Sequence, residues 1–389
     1  MPFGSEGMEH GSALALSGGG FRASLFHCGA LWRLAEVRQL GELKRISSVS
    51  GGSITAGVLA LAWRDLERRG FDPAAVRELV VEPVRRFCGR RIDVPSVLFG
   101  AALPFIAIGD LVAASYDRWL FDGATLDQLP DEPRFVFNST NVATGVDFRF
   151  SKPYAGDYRI GLVRTPRWKL SLAVAASSAF PPFLSPVTLN LKRSQLEKVP
   201  GADLHDSLEA EVELALSDGG VYDNLGLETV WRRYDTVLVS DGGEPFAFAA
   251  RQPHDWLRHG LRTLLVTVNQ SRSLRKRMLI DAFERRERGG TYWGIMTPIA
   301  RYGVANALPV PEETTAELAA IRTRLAPFSE REQCALVNWG YAVCDAALRR
   351  WVKPADPPPP RWPYPAFGLE RGLRSIGIEP VPAADATAA

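Results

Sequence analysis

The stretch Ser12-Ala13-Leu14-Ala15-Leu16-Ser17-Gly18-Gly19-Gly20-Phe21-Arg22-Ala23-Ser24 and its companion about 30 residues later, Arg45-Ile46-Ser47-Ser48-Val49-Ser50-Gly51-Gly52-Ser53, decide the fold class. Each is a short β-rich run, a tight glycine turn and then a helical pattern. Ser12 to Ser17 leads into a helix from about Arg22 to Arg38. Arg45 to Val49 leads into a helix from Ser53 to about Arg68, in which Ile54, Val58, Leu59, Ala62 and Trp63 supply the apolar face. Strand, turn and helix twice in succession point to an α/β sheet covered by helices on both faces.

Outward from this pair, a helical and apolar insertion over roughly 72–122 precedes strands expected at Arg134 to Ser139 and Asp147 to Ser151. Lys169 to Ala179 reads as a small-residue helix stopped by Pro181-Pro182. Val212 to Ser217 and Thr236 to Ser240 read as strands, and both end in Asp-Gly-Gly, at Asp218-Gly219-Gly220 and Asp241-Gly242-Gly243. Beyond about Phe248 the texture turns to arginine-dense helix, and Ser329-x-x-Glu332 is a capping box opening a helix that runs to about Trp351. Seven prolines between Pro354 and Pro365 mark an extended surface strap or linker. The expected division is 12–246 for the α/β body, 247–353 for a mainly helical extension and 354–389 for a Pro-rich tail.

Composition excludes several classes. Hydrophobic residues at 46% and charged residues at 23% rule out collagen, coiled coil and wholesale disorder. Lys plus Arg at 46 against Asp plus Glu at 44 leaves a formal charge of +2, too weak a field to gather nucleic acid, and none is expected as a partner. The four cysteines lack any Cys-x-x-Cys pair, so neither a disulfide scaffold nor a zinc cluster is expected. Cys334 and Cys344, on one helical pattern, stand roughly 15 Å apart, beyond disulfide reach. The opening MPFGSEGMEHG has two acids and no apolar run, so no signal peptide is expected and the cytoplasm is the default compartment. The most apolar run, Val97 to Ile108, is shorter than the about 20 residues of a spanning helix. It reads as a buried helix or loop, or as a mobile flap that touches lipid or covers a site.

Three elements carry chemistry. Ser50, between a β-rich run and a helix with glycines directly after it, fits a nucleophile elbow in which Ser48 takes the place of the usual first glycine and Gly51 and Gly52 give room for the sharp turn. The helix that follows favours developing negative charge nearby. A serine hydroxyl needs a base. None of His10, His27, His205, His254 and His259 stands in a triad setting, so a carboxylate is the other option, and Asp218 or Asp241 at a strand end offers one. Gly18-Gly19-Gly20 turns backbone amides toward an anion. A phosphate loop would need a lysine where Phe21-Arg22-Ala23-Ser24 has none, and the second strand lacks the ribose-binding acid of a dinucleotide fold, so an oxyanion hole leads.

Together, Gly18-Gly19-Gly20-x-Arg22, Ser50-Gly51-Gly52 and Asp218-Gly219-Gly220, in that order, resemble the patatin-like phospholipase family over about residues 12–246. Lesser similarities are His27, Gly29, the run Ala175-Ala176-Ser177-Ser178-Ala179-Phe180-Pro181, and Asn224. The resemblance implies a doubly wound, three-layer α/β sandwich and a Ser-Asp dyad hydrolase that releases fatty acid from phospholipid or another acyl-ester lipid, at a membrane surface, with no metal or cofactor. Ser50 is then the nucleophile, Asp218 its base and the Gly18, Gly19 and Gly20 amides the oxyanion hole, while Arg22 supports that loop or meets a lipid phosphate. An acyltransferase using the same dyad, and a ligand-triggered effector with silent catalysis, are the rival readings. Ala23, Ser48 and Gly226 depart from the family pattern by small replacements. His27 is expected to pack against the sheet, and the basic run Arg272 to Arg288 either grips anionic headgroups or forms a solvated helix.

Overall fold

The computed structural model describes residues 8–92, 108–182, 184–246, 248 and 254–379. The apolar run at Val97 to Ile108 lies outside them except for its last residue. Ten described strands make one sheet: β1 (Glu9–Leu16), β2 (Leu43–Val49), β3 (Arg134–Asn141), β4 (Val146–Phe150), β5 (Tyr154–Asp157), β6 (Gly161–Arg164), β7 (Val187–Lys192), β8 (Glu211–Asp218), β9 (Tyr234–Asp241) and β10 (Gly289–Gly294). Their order is β10-β9-β1-β2-β3-β4-β5-β6, with β8 paired to both β3 and β7. From β10 to β3 every neighbour is parallel, and beyond β3 every pairing is antiparallel.

The period of two along β1 builds the layers. Leu14 and Leu16 enter the core shared with α1 (Gly20–Glu36) and α2 (Gly51–Arg68), whereas Ala13 and Ala15 face Leu225, Leu227 and Val230 on the other side. Both faces of the central strands are therefore covered, and the three-layer α/β architecture follows. The helix of small residues, α4 (Leu170–Ser177), comes after α3 (Ile108–Tyr116) in the chain and packs against it and against β3.

The region after 246 is not a helical appendage alone. β10 extends the sheet beside β9, with Gly289 to Gly294 in parallel register with Thr236 to Asp241. Its three glycines and two aromatics have no clear alternation, which is why it does not read as a strand. A long helix, α5 (Trp256–Glu284), and a shorter one, α6 (Glu312–Ala320), flank it in sequence. The capping box at Ser329 forms as expected, with the Ser329 hydroxyl accepting from the Glu332 amide and the Glu332 carboxylate from the Ser329 amide, and it opens α7 (Glu330–Ala347).

Helix α7 crosses α1 at backbone contact. A Cβ on Gly29 would collide with the Val337 carbonyl, and one on Gly340 with the Phe26 carbonyl. Arg33 on α1 is fully buried and pairs with Asp345 on α7 at 2.7 Å. The proline strap crosses the same pair: Arg33 donates to the Pro358 carbonyl, and the Asn338 carboxamide bonds the backbone of Tyr364 and Phe367. Gly340→Ala is expected to destabilise the fold by about 3 kcal/mol, because neither helix backbone can retreat from the added methyl. A denaturant melt measures it, and a change below 1 kcal/mol would mean that the two helices slide apart freely.

Candidate active site

Ser50 follows β2 directly, and its backbone sits at φ 50° and ψ −119°, outside the wells an L-residue prefers. This is a sharp strand-to-helix turn of the elbow kind, and tiny neighbours permit it. A Cβ on Gly51 would strike the Gly20 carbonyl, and one on Gly52 the carbonyls of Leu16 and Ser17. Ser48 keeps ordinary strand backbone, so the missing first glycine creates no strain. Its hydroxyl accepts from Ser53 at 2.9 Å and donates to the Val136 carbonyl.

Strand pairing brings Asp218 to Ser50. A strand has two edges, and β4 fills one edge of β3 along Phe137 to Asn141. The other edge is shared end to end: β2 occupies it up to Val49 opposite Asn138, and β8 arrives antiparallel with Asp218 opposite Ser139. The C-terminal ends of the two strands therefore meet head on. Asp218 thus reaches Ser50 from an antiparallel strand that abuts β2.

The Ser50 side chain stands by the Asp218 carboxyl closely enough to favour its ionised form. Asp218 is only 2% exposed, and its Oδ1 accepts from the Gly220 amide at 2.6 Å. Burial raises its pKa to about 7, with the Gly220 amide and Ser50 pulling the other way. Residues 177–179 clasp both groups. The Ser177 hydroxyl accepts from the Ser50 amide at 3.0 Å, the Ala179 carbonyl accepts from the Asp218 amide at 2.8 Å, and the Ser177 carbonyl accepts from Gly219. Ser177 lies in the Ala175 to Pro181 run, but spacing alone does not reveal that it anchors the elbow.

The second Asp-Gly-Gly lies elsewhere. Asp241 ends β9, on the far side of β1, and it holds Arg272 through both carboxylate oxygens at 2.7–2.8 Å while accepting from the Tyr292 hydroxyl. Burial alone would raise its pKa, but Arg272 and Lys276 hold it at about 2. Asp241 is thus a structural anion.

The glycine loop lies over Ser50. A Cβ on Gly18 would stand 3.2 Å from that of Ser50. The Gly18 amide already donates to the Asn224 carbonyl at 3.0 Å, whereas the Gly19 and Gly20 amides have no backbone acceptor among the described residues. Gly19 and Gly20 have φ of 142° and 57°, which glycine alone adopts at little cost. Gly226 has φ 67°, and a proline ring locked near −65° could not replace it there.

Arg22 is wholly buried and turned away from any lipid. Its guanidinium donates to the carbonyls of Ala319 and Ile321 at 2.7 and 2.6 Å and of Gly242 at 3.1 Å, tying the loop's helix to the C-terminal region. Burial lowers its pKa to about 10, so it stays charged at neutral pH. His27 bridges Ser240 and the Ser17 carbonyl inside the core, and burial drives its pKa down to about 4, so the ring is neutral. All four cysteines are free and buried.

A largely parallel α/β body thus brings together a strained serine elbow, a buried carboxylate and a glycine loop. Residues 14–231, more than half of the chain, match the family model for patatin-like phospholipase, and the chain belongs to that family. No curated protein matches it. Among solved structures, it is similar to human GIVD cytosolic phospholipase A2 in complex with methyl gamma-linolenyl fluorophosphonate, at 14% identity and a TM-score of 0.48, over 94% of this chain and 59% of that one. Another structure of the human enzyme aligns at 15% and 0.38, over 60% of this chain and 45% of that one. VipD from Legionella pneumophila aligns at 12% and 0.34, over 87% and 66%. The chain thus spans roughly half the length of the human enzyme it resembles.

Proposed function

We propose that this protein is a lipid acyl hydrolase of the phospholipase A or lysophospholipase type, working through a Ser50-Asp218 dyad without calcium. The observation that carries the reading is the meeting of a strained, elbow-borne serine with a buried carboxyl whose pKa is near 7, at the abutting ends of β2 and β8. A base poised near working pH takes a proton efficiently and returns it equally well.

In this mechanism the Ser50 Oγ attacks the ester carbonyl carbon as the Asp218 carboxylate removes the hydroxyl proton. The carbonyl π-electrons move onto oxygen, where the amides of Gly19 and Gly20 and the N-terminal end of α2 stabilise the oxyanion. As the tetrahedral species collapses, Asp218 gives its proton to the departing alcohol, leaving an acyl-Ser50 ester. Water then attacks that ester with Asp218 again as base, and the fatty acid leaves with Ser50 restored.

The test is mass-spectrometric detection of free fatty acid and lysolipid from mixed phospholipid vesicles, with and without a calcium chelator. Release by the wild type, unchanged by the chelator and rising with pH through about 7 as Asp218 ionises, is expected. A rate that falls on chelation, or that is flat between pH 5 and 8, would refute the metal-free dyad.

A further inference from the structure

The sequence leaves the basic run Arg272 to Arg288 as either a grip on anionic headgroups or a solvated helix, and the fold turns three of its cations inward. Arg272 pairs with Asp241, Arg275 with Asp223 and Glu228, and Lys276 lies over the Tyr292 ring. These three face the sheet. What faces outward is a different set. On α5 the first buried residue among the described side chains is Leu279, so most of this helix lies off the core. At 100° per residue, Trp256, Val266, Leu274 and Met278 share about a third of its circumference, and all four are exposed. Phe246 and Phe248, in the loop before it, are 40% and 86% exposed, and Trp256 is 84% exposed.

Charge selects the occupant. Of the six cations from Trp256 to Ile280, Arg272, Arg275 and Lys276 are the inward set, which leaves Arg258, Arg262 and Arg277, with Asp255 at the N-cap 3.8 Å from Arg258. Arg258 and Arg277 are exposed on this helix, and the Arg262 guanidinium stacks on the Phe246 ring 3.9 Å from its centroid. Aromatic rings beside arginines that outnumber the neighbouring acids Glu244 and Asp255 match the headgroup layer of an anionic bilayer, where rings sit at the apolar boundary and guanidiniums meet phosphates. A second copy docked through the same face would set two arginine-rich surfaces together. Six cations also forbid a spanning helix, and among the described residues no helix is long and apolar enough to cross a membrane. The surface adjoins the site: Phe246 is four residues from Gly242, at most about 14 Å of chain, and the Gly242 carbonyl lies against Gly19 of the glycine loop.

We infer that the outward stripe of α5, with Phe246 and Phe248, is the face by which this protein seats on an anionic lipid surface and brings the Ser50 loop to its substrate. The purpose assigned to this face rests on the acyl-hydrolase reading, and the two fail separately. The experiment is co-sedimentation with phosphatidylcholine vesicles, with and without phosphatidylserine, for the wild type, F248S/W256S and R258Q/R262Q. In parallel, turnover of a water-soluble short-chain p-nitrophenyl ester is followed for each protein. Binding of the wild type to phosphatidylserine vesicles, about tenfold or more weaker in F248S/W256S, and a salt dependence flattened in R258Q/R262Q are expected, with soluble-ester turnover the same in all three. Wild-type binding that ignores phosphatidylserine, variants that bind as the wild type does, or concentration-dependent dimers of the wild type that F248S/W256S abolishes would each overturn the assignment. Wild type that binds anionic vesicles but turns over no ester would instead sink the hydrolase reading and leave the docking face standing.

Discussion

Asp218→Asn is expected to slow acyl release by about 10³–10⁴-fold and to make the protein more stable at the same time. The rate falls because a carboxamide cannot take the Ser50 proton, and losses of this size follow when a hydrogen-bonded carboxylate in such a constellation is made neutral. The stability rises because the wild-type carboxyl is buried. Its folded pKa is raised from 3.8 to about 7, so its contribution to stability is fully present below pH 4 and is lost as pH climbs through 7. At pH 8 the folded protein holds a buried charge that the unfolded chain would solvate. A shift of about 3 units corresponds to about 4 kcal/mol as an upper bound, and asparagine, which retains an oxygen to accept from Gly220, avoids it. Thermal melts at pH 4 and pH 8 check the sign. The variant should melt above the wild type at pH 8 and close to it at pH 4, and equal melting at both would mean that the carboxyl carries no buried charge.

Ser50 separates chemistry from strain in the same way. Ser50→Ala is expected to lose at least about 10⁴-fold in rate and to take no adduct from a fluorophosphonate probe, which forms its bond to the nucleophilic Oγ as fluoride departs. Ser50→Gly should be as inactive, yet firmer than the alanine variant. Backbone strain at φ 50° and ψ −119° is of order 1–3 kcal/mol for an L-residue, and glycine relieves it. The flexibility that glycine adds to the unfolded chain offsets about 0.5–1 kcal/mol, so a net gain of about 1 kcal/mol over Ser50→Ala remains. Intact-mass spectrometry after labelling and denaturant melts read the two effects independently. A wild-type adduct that persists in Ser50→Ala would place the nucleophile elsewhere.

Much of this was legible in the sequence because it depends on short-range stereochemistry. Period-two and period-3.6 patterns placed β1, α1, β2 and α2 within a few residues, and the Ser329 and Glu332 side chains cap their helix by a purely local exchange. Glycine triplets and pairs marked the loop and the elbow, since only a residue without Cβ lets the Gly20 and Gly51 backbones meet. The less legible features share a different cause. The segment Gly289 to Gly294 is a strand only because β9 offers it an edge, and the Arg272 cluster is internal only because Asp241, Asp223 and Glu228 reach it from other elements.

The two Asp-Gly-Gly tripeptides draw the line most sharply. Sequence by itself determined that the chain builds an α/β sheet, that Ser50 sits on a tight turn and that an aspartate at a strand end is available, because each is a property of a few adjacent residues. Which aspartate stands beside Ser50 was decided by tertiary structure. The edge of β3 seats β2 and β8 end to end and brings Asp218 to Ser50, while β9 carries Asp241 past β1 to Arg272. Long-range pairing also decided the charge states. The same side chain in the same tripeptide has a pKa near 7 where burial meets no cation and near 2 where an arginine enters with it, a difference that identical local sequence cannot encode.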